Sequence, residues 1–331
     1  MTRDEHGKRK RDGHDRSKHD IHRRLESQFD ACQIVRQLHN VPPHEVYEVR
    51  LDGRRAVYKG DTGRTGNAAV EGLVTAFVAQ KTSVTVPEMI AIDDDYYVAA
   101  WDPNAPAPDA RGDADETWAY AAGKALATLH DETDPLLNQY GEFVARETSV
   151  ADSDPDSLTV EGSDDWHAAA IEYVRNHRPT LARYGHADIA DAVETLLDNR
   201  PDAFDGAGRP VCCHGWATPE HVAVEEDEVR CVLDFEHAIA APGEFDYWRT
   251  VLPTFSGHGD SNALRETFRE GYESVRTLPA GFDERAPFYV LLNEVYYFES
   301  LYVQDQHDPD ETAERAERLR ERVFERIERL S

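Results

Sequence analysis

The chain has 331 residues, 40% of them hydrophobic, enough for a large core and one or two domains. Against 36 Lys and Arg stand 65 Asp and Glu, a net charge of −29, and only six of the bases are Lys. The four cysteines are too few for a disulfide scaffold, and no apolar run approaches the ~18 residues of a membrane span.

An acid-rich, Lys-poor composition keeps a protein hydrated in molar salt, which points to a halophilic cytoplasm. Attraction of a cationic ligand is the alternative. At molar salt the Debye length is only about 3 Å, so long-range steering fades and the acidity does not identify a substrate. The N-terminus lacks the apolar region of a signal peptide.

Residues 1–24 carry nine basic and five acidic side chains and almost no apolar ones, the pattern of a disordered basic arm. Lys8-Arg9-Lys10-Arg11 reads as a solvated tail rather than a nucleic-acid site. Over 25–39, the spacing of Leu25, Phe29, Cys32, Ile34, Val35 and Leu38 predicts an amphipathic helix, ended by Asn40 and Pro42-Pro43. A hairpin follows, from Glu45–Arg50 through Asp52-Gly53 to Ala56–Lys59. Then come a loop to Gly66, a helix over Asn67–Lys81 containing Glu71, and short strands at Val84–Pro87, Ile90–Ile92 and Tyr97–Trp101.

Asp102 to Pro108 reads as a hinge and linker. Glu116–His130 has helical spacing, with His130 as a packed or capping residue. Residues 149–165 read as an acidic loop, and Asp165–Leu197 as one or two helices interrupted near Pro179 and Gly185. Residues 262–276, 285–304 and 309–330 carry helical apolar spacing. The aromatics Tyr289, Tyr296, Tyr297, Phe298 and Tyr302 are expected to pack that helical region, with one or two able to stack on a substrate.

The stretch Val211–Arg249 is the most informative. Val211-Cys212-Cys213 is a strand broken by His214-Gly215, with the cysteines as buried strand residues rather than metal ligands. Val222–Val224 and Cys231–Leu233 are two further apolar runs around a charged turn, and the second delivers Asp234-Phe235-Glu236 at its end. A loop and a strand end side by side can present polar groups to one cleft.

This arrangement resembles the aminoglycoside phosphotransferase family, a branch of the protein-kinase-like fold. The resemblance rests on His214-Gly215, Pro219, Asp234 and the turn Pro242–Asp246, and covers roughly residues 25–305. It implies a two-lobed α/β (α+β) fold: a small β-rich lobe over 25–101 that clamps a nucleotide, and a larger, mainly helical lobe over 102–331. It also implies ATP with Mg²⁺ or Mn²⁺, and a small hydroxylated molecule as acceptor, with no membrane or nucleic-acid partner.

Residue by residue, the resemblance implies that Lys59 contacts the phosphates and Glu71 pairs with it, while the backbone at Ala99 and Trp101 receives the adenine. Asp234 would bind the ion. His214 would shape the catalytic loop and Asp246 would support it. Glu236 would be a second ligand, a substitute base or a solvent-facing residue. Two positions depart from the family pattern. Trp216 stands where the catalytic Asp is expected, and its indole N–H only donates. His221 stands where the metal-binding Asn is expected, and an imidazole facing the ion would favour manganese over magnesium. The chain is therefore read either as a phosphotransferase with an altered loop or as an inactive pseudokinase that binds a nucleotide or partner. The segment Val41–Val49, where a phosphate-covering loop is expected, has no glycine.

Overall fold

A computed structural model describes residues 18–63, 66–106, 114–146, 157–255, 261–304 and 306–331. The expected tail at Lys8–Arg11, the end of the linker at 107–108 and the first part of the acidic loop (149–156) lie outside these residues.

Five antiparallel strands form the first sheet, in the order β1-β2-β3-β5-β4. They are β1 (Cys32–Val41), β2 (His44–Leu51), β3 (Arg54–Asp61), β4 (Met89–Asp93) and β5 (Tyr96–Ala100). The β2–β3 hairpin is the predicted one, with Asp52 and Gly53 both at positive φ in its turn. Period-2 alternation sends Ala56 and Tyr58 to one face of β3, and Val57 and Lys59 to the other.

A helix over residues 18–26, α1, covers the first face. Its Ile21 and Leu25 pack with Tyr47, Val49, Tyr58 and Val98. The last residues of the expected arm are thus a structural lid on the sheet. Helix α2 (Ala68–Lys81) covers the opposite face, where Ala68, Ala69 and Leu73 meet Ile92, Tyr97 and Ala99.

The predicted helix over 25–39 is absent; most of that segment is β1. Bulges between Ile34 and Arg36, and between Gln37 and His39, shift the side-chain phase of the strand. Apolar residues at 32, 34, 35 and 38 then mimic a helical stripe. Val84–Pro87 is no strand either, although Thr85 accepts from the Val232 N–H at 2.8 Å. Pro87 has no N–H to give a ladder.

The rest of the chain is mainly helical. It contains α3 (Glu116–Thr133), α4 (Trp166–Arg183), α5 (Ala187–Asn199), α6 (Gly243–Phe255), α7 (Ser261–Glu273), α8 (Phe282–Val303) and α9 (Pro309–Leu330). The break between α4 and α5 falls at Gly185, at φ +86°, whereas Pro179 is carried inside α4. Strands β6 (Tyr140–Ala145), β7 (Leu158–Ser163), β8 (Pro210–Cys213) and β11 (Ile239–Pro242) form a sheet in the order β7-β6-β11-β8. Strands β9 (Val222–Glu225) and β10 (Glu228–Val232) form a separate hairpin. The loop expected at 149–165 therefore ends in a strand, and the turn expected at Pro242–Asp246 opens helix α6.

Two cores hold this region. One joins α3, α6 and α7 to Cys212 and Phe235; the other joins α4, α5, α8 and α9 to Cys213 and Phe245. Cys212 and Cys213 point into different cores, as neighbours on a strand must. The stretch 211–246 lies between them, so its loops are held by packing from both sides.

Candidate active site

Lys59 is the centre of the polar cluster. It sits on β3 opposite Tyr97 of β5, and its side chain is 7% exposed. Its Nζ lies 2.7 Å from Glu71 Oε2 on α2, 2.7 Å from Asp234 Oδ1 and 2.9 Å from Glu236 Oε2. Burial opposes the charge, yet the Asp234, Glu71 and Glu236 carboxylates hold the Lys59 pKa well above the usual lysine value. Glu71 is buried deeper still. Its pKa is raised by burial, with Lys59 opposing and Asp234 and Glu236 adding to the rise. The Tyr97 hydroxyl donates to Glu71 Oε1 at 2.8 Å and fixes the carboxylate.

Asp234 follows β10 in the left-handed region, at φ +71°, where a non-glycine residue is strained. Burial disfavours its charge, but Lys59 and His221 hold the carboxyl well below the ordinary range. Its second oxygen, Oδ2, lies 3.1 Å from His221 Nε2. His221 Nδ1 donates to the Trp216 carbonyl at 3.0 Å, and the Leu233 N–H donates to the His221 carbonyl at 3.0 Å. Burial opposes charge on this imidazole, but Asp234 raises its pKa to about 9.

The loop from His214 to Thr218 is clamped through its backbone. Asp246, in the first turn of α6, accepts the His214 N–H at 2.6 Å and the Gly215 N–H at 2.8 Å. His130 Nε2 lies 3.1 Å from Asp246 Oδ2, and Tyr272 Oη lies 2.8 Å from His130 Nδ1. His130 is thus a packed residue, and it also braces the loop's anchor. The His214 ring donates from Nε2 to the Leu233 carbonyl at 3.0 Å and accepts the Trp216 N–H at 3.1 Å. Burial pushes its pKa down to about 4, so it is neutral. Gly215 has φ +83°, and a Cβ there would lie 2.1 Å from the His237 carbonyl oxygen.

Trp216 is half-buried. Its ring lies 5.9 Å from Tyr296 and 5.8 Å from Tyr297, and its Nε1 donates to Glu220 Oε1 at 3.2 Å. No proton acceptor stands at that position. Glu236, the expected substitute, has both oxygens engaged: Oε2 by Lys59, and Oε1 by His237 Nε2 at 3.1 Å. Its carboxyl is held below the usual range by Lys59 and His237, against burial and Asp234. A carboxylate in that state is a weak base.

Ala99 and Trp101 do not join the cluster. Ala99 pairs with Val57 and packs against α2. The Trp101 N–H donates to the Arg55 carbonyl at 3.2 Å, and the Arg55 guanidinium lies 3.4 Å over the indole ring. The hinge N–H groups of Ala100 and Trp101 are thus engaged in the sheet, since Ala100 donates to Glu88 O at 2.8 Å.

Sequence reasoning missed three contributors. His44, at the start of β2, directs Nε2 to within 3.4 Å of Glu236 Oε2 and Nδ1 to within 3.0 Å of Asp61 Oδ1. It follows the Pro42-Pro43 turn that stands where a glycine-rich loop was sought. Arg249 donates from Nε to the Gly215 carbonyl and from Nη1 to Tyr173 Oη at 2.7 Å, while lying 3.8 Å over the Tyr296 ring. Its spacing of three from Asp246 places both on one helix face, a signal the sequence carries. His237 was the third.

A lysine held by carboxylates from a helix and a strand end, beside a backbone-clamped loop, is the layout of a phosphoryl-transfer site. The model of the phosphotransferase enzyme family matches residues 44–288, and the chain belongs to that family. Solved structures agree on the two-lobed kinase-like fold. A protein proposed to be a fructosamine-3-kinase, from Thermobifida fusca YX-ER1, is 18% identical with a TM-score of 0.63, over 93% of this chain and 96% of that one. A thermostable mutant of aminoglycoside phosphotransferase APH(4)-Ia is 12% identical with a TM-score of 0.62, over 92% and 97%. A microcompartment-associated aminopropanol kinase is 15% identical with a TM-score of 0.58, over 93% and 95%. No curated protein sequence matches the chain. Among the described residues, no helix is long and apolar enough to cross a membrane.

Proposed function

We propose that the protein is an ATP-dependent phosphotransferase acting on a hydroxyl of a small molecule. The observation that carries this is the contact of Lys59 Nζ with both Glu71 and Asp234 at 2.7 Å. Lys59 is placed to clamp phosphate oxygens, with Glu71 fixing its direction. The Asp234 carboxylate would hold a divalent cation, and His221, 3.1 Å from it, would have to give up its Nε2 proton to join. Such an ion, held by Asp234, would supply positive charge to offset that of the transferred phosphate.

From one face of α6, Asp246 takes the Gly215 N–H and Arg249 reaches the Gly215 carbonyl, which fixes the wall against which an acceptor would lie. The aminoglycoside phosphotransferase relative has been solved with ADP and hygromycin B, and another relative is an aminopropanol kinase. An acceptor bearing hydroxyl and amino groups is the first class to try. Trp216 takes no proton, so transfer proceeds without a loop carboxylate, at a cost of about 10²–10⁴-fold in rate. ATP consumption in molar KCl, measured against a panel of amino sugars, ketosamines and amino alcohols, tests this directly. Turnover with one class supports it, and none with any acceptor or with water overturns it.

A second reading is favoured by Trp216 itself. A chain that keeps the lysine clamp while replacing the proton acceptor can serve as a nucleotide-binding pseudokinase. Tight ATP binding with no turnover would select it.

A further inference from the structure

We propose that the side chain of His44 contacts the phosphates of the nucleotide, and that a phosphate oxygen takes the place that Glu236 Oε2 holds between His44 and Lys59. The inference rests on the nucleotide-site reading of Lys59 and deepens it. It begins at the tip of the β1–β2 hairpin. Val41 pairs with His44, so the tip is Pro42 and Pro43. Neither has a backbone N–H. Phosphate sites are commonly built from loop N–H groups, and this tip has none to give. A donor at this edge of the cleft has to come from a side chain.

His44 is the first residue after the tip, and it is 5% exposed. It pairs across the sheet with Asp61, whose Oδ1 lies 3.0 Å from its Nδ1. The same oxygen accepts the Ala68 N–H at 3.0 Å at the start of α2, so the carboxylate facing the ring is itself held. The other ring nitrogen, Nε2, lies 3.4 Å from Glu236 Oε2, and Lys59 Nζ lies 2.9 Å from that oxygen. Two basic side chains, from β2 and β3, thus converge on one anionic oxygen.

That oxygen is the exchangeable part of the arrangement. Glu236 comes from the loop after β10, across the cleft, and its side chain is more exposed than those of His44 and Lys59. A phosphate oxygen is an anion that accepts the same donors. A phosphate set beside Glu236 would be repelled by it. Exchange of the carboxylate for the phosphate removes that repulsion and keeps both donors in use.

The test uses the full chain in molar KCl with Mg²⁺. Calorimetry compares a non-hydrolysable ATP analogue with adenosine, which has no phosphate, in wild type, His44→Leu and His44→Gln. His44→Leu should bind the analogue about 10–100-fold more weakly than wild type, with its affinity for adenosine unchanged. His44→Gln keeps an N–H donor on a side chain of similar reach and should recover most of the loss. A crystal structure of the wild type with the analogue should place one phosphate oxygen within about 3.2 Å of both His44 Nε2 and Lys59 Nζ, with Glu236 turned away. Unchanged analogue affinity in His44→Leu, an equal loss for adenosine, or Glu236 still seated between His44 and Lys59 beside the bound analogue overturns the inference and leaves the nucleotide site standing. Absence of analogue binding to wild type overturns both. If His44→Leu fails to fold, the wild-type complex alone decides.

Discussion

Lys59 Nζ lies 2.7 Å from Asp234 Oδ1, joining two residues 175 positions apart, one on the first sheet and one at the end of β10. The contact adds an ion pair to the apolar packing of Val74, Phe77 and Val78 against the helical region. Removing the lysine leaves Glu71 and Asp234 without their shared counter-charge. Lys59→Met should lose nucleotide binding and about 3–5 kcal/mol of stability, read from denaturant unfolding in molar KCl. Adding Glu71→Gln should restore part of the stability but none of the binding. Retained nucleotide binding in Lys59→Met would remove the lysine from the site.

Asp246 is fully buried and receives two backbone N–H groups of the loop. Asp246→Asn sets an amide donor against one of those donors. We expect a loss of about 3 kcal/mol, with faster hydrogen exchange at His214 and Gly215 than elsewhere in the fold. Exchange that rises uniformly would show that the clamp is not local.

His214 sets an acid limit on stability. Its pKa in the fold is about 4, pushed down by burial, against about 6.5 in the unfolded chain. Between these values the unfolded chain binds more protons, so stability falls as pH drops from 6.5 towards 4, by up to about 3 kcal/mol. His214→Asn keeps an acceptor for the Trp216 N–H and removes the titration. Its stability should fall less steeply over that interval; an unchanged slope would place the acid sensitivity elsewhere.

Trp216→Asp supplies a proton acceptor at the position where the loop now has only a donor. If the phosphotransferase reading holds, the acceptor-dependent rate should rise by about 10²-fold with little change in nucleotide affinity. A rate that is unchanged or lower would mean that Trp216 serves the acceptor pocket itself.

Much of this site can be read in the sequence because its key residues end apolar runs. Lys59 closes Ala56-Val57-Tyr58, and Asp234 closes Cys231-Val232-Leu233. Local pattern places Lys59 on a strand and Asp234 at a strand end, and their order along the chain does the rest. The strand β1 is hidden because two bulges give its apolar residues a helical phase. Helix α6 is hidden because Pro242-Gly243 reads as a turn, and Pro253 sits inside the helix where a proline discourages one. His44 and Tyr296 lie far along the chain from Glu236 and Arg249, the residues they meet, and single-sequence periodicity holds no record of such contacts. The reach of Arg249 to the Gly215 carbonyl likewise depends on how α6 packs beneath the loop.

If Lys59 and Asp234 form a working nucleotide–metal site, nucleotide binding depends on both the ion and the lysine. Calorimetric titration of a non-hydrolysable ATP analogue in molar KCl, with Mn²⁺, with Mg²⁺ and with neither, tests it most directly. We predict saturable one-site binding that requires a divalent cation and is lost in Lys59→Met. Absence of binding with either ion, or binding indifferent to both the ion and Lys59, would contradict it.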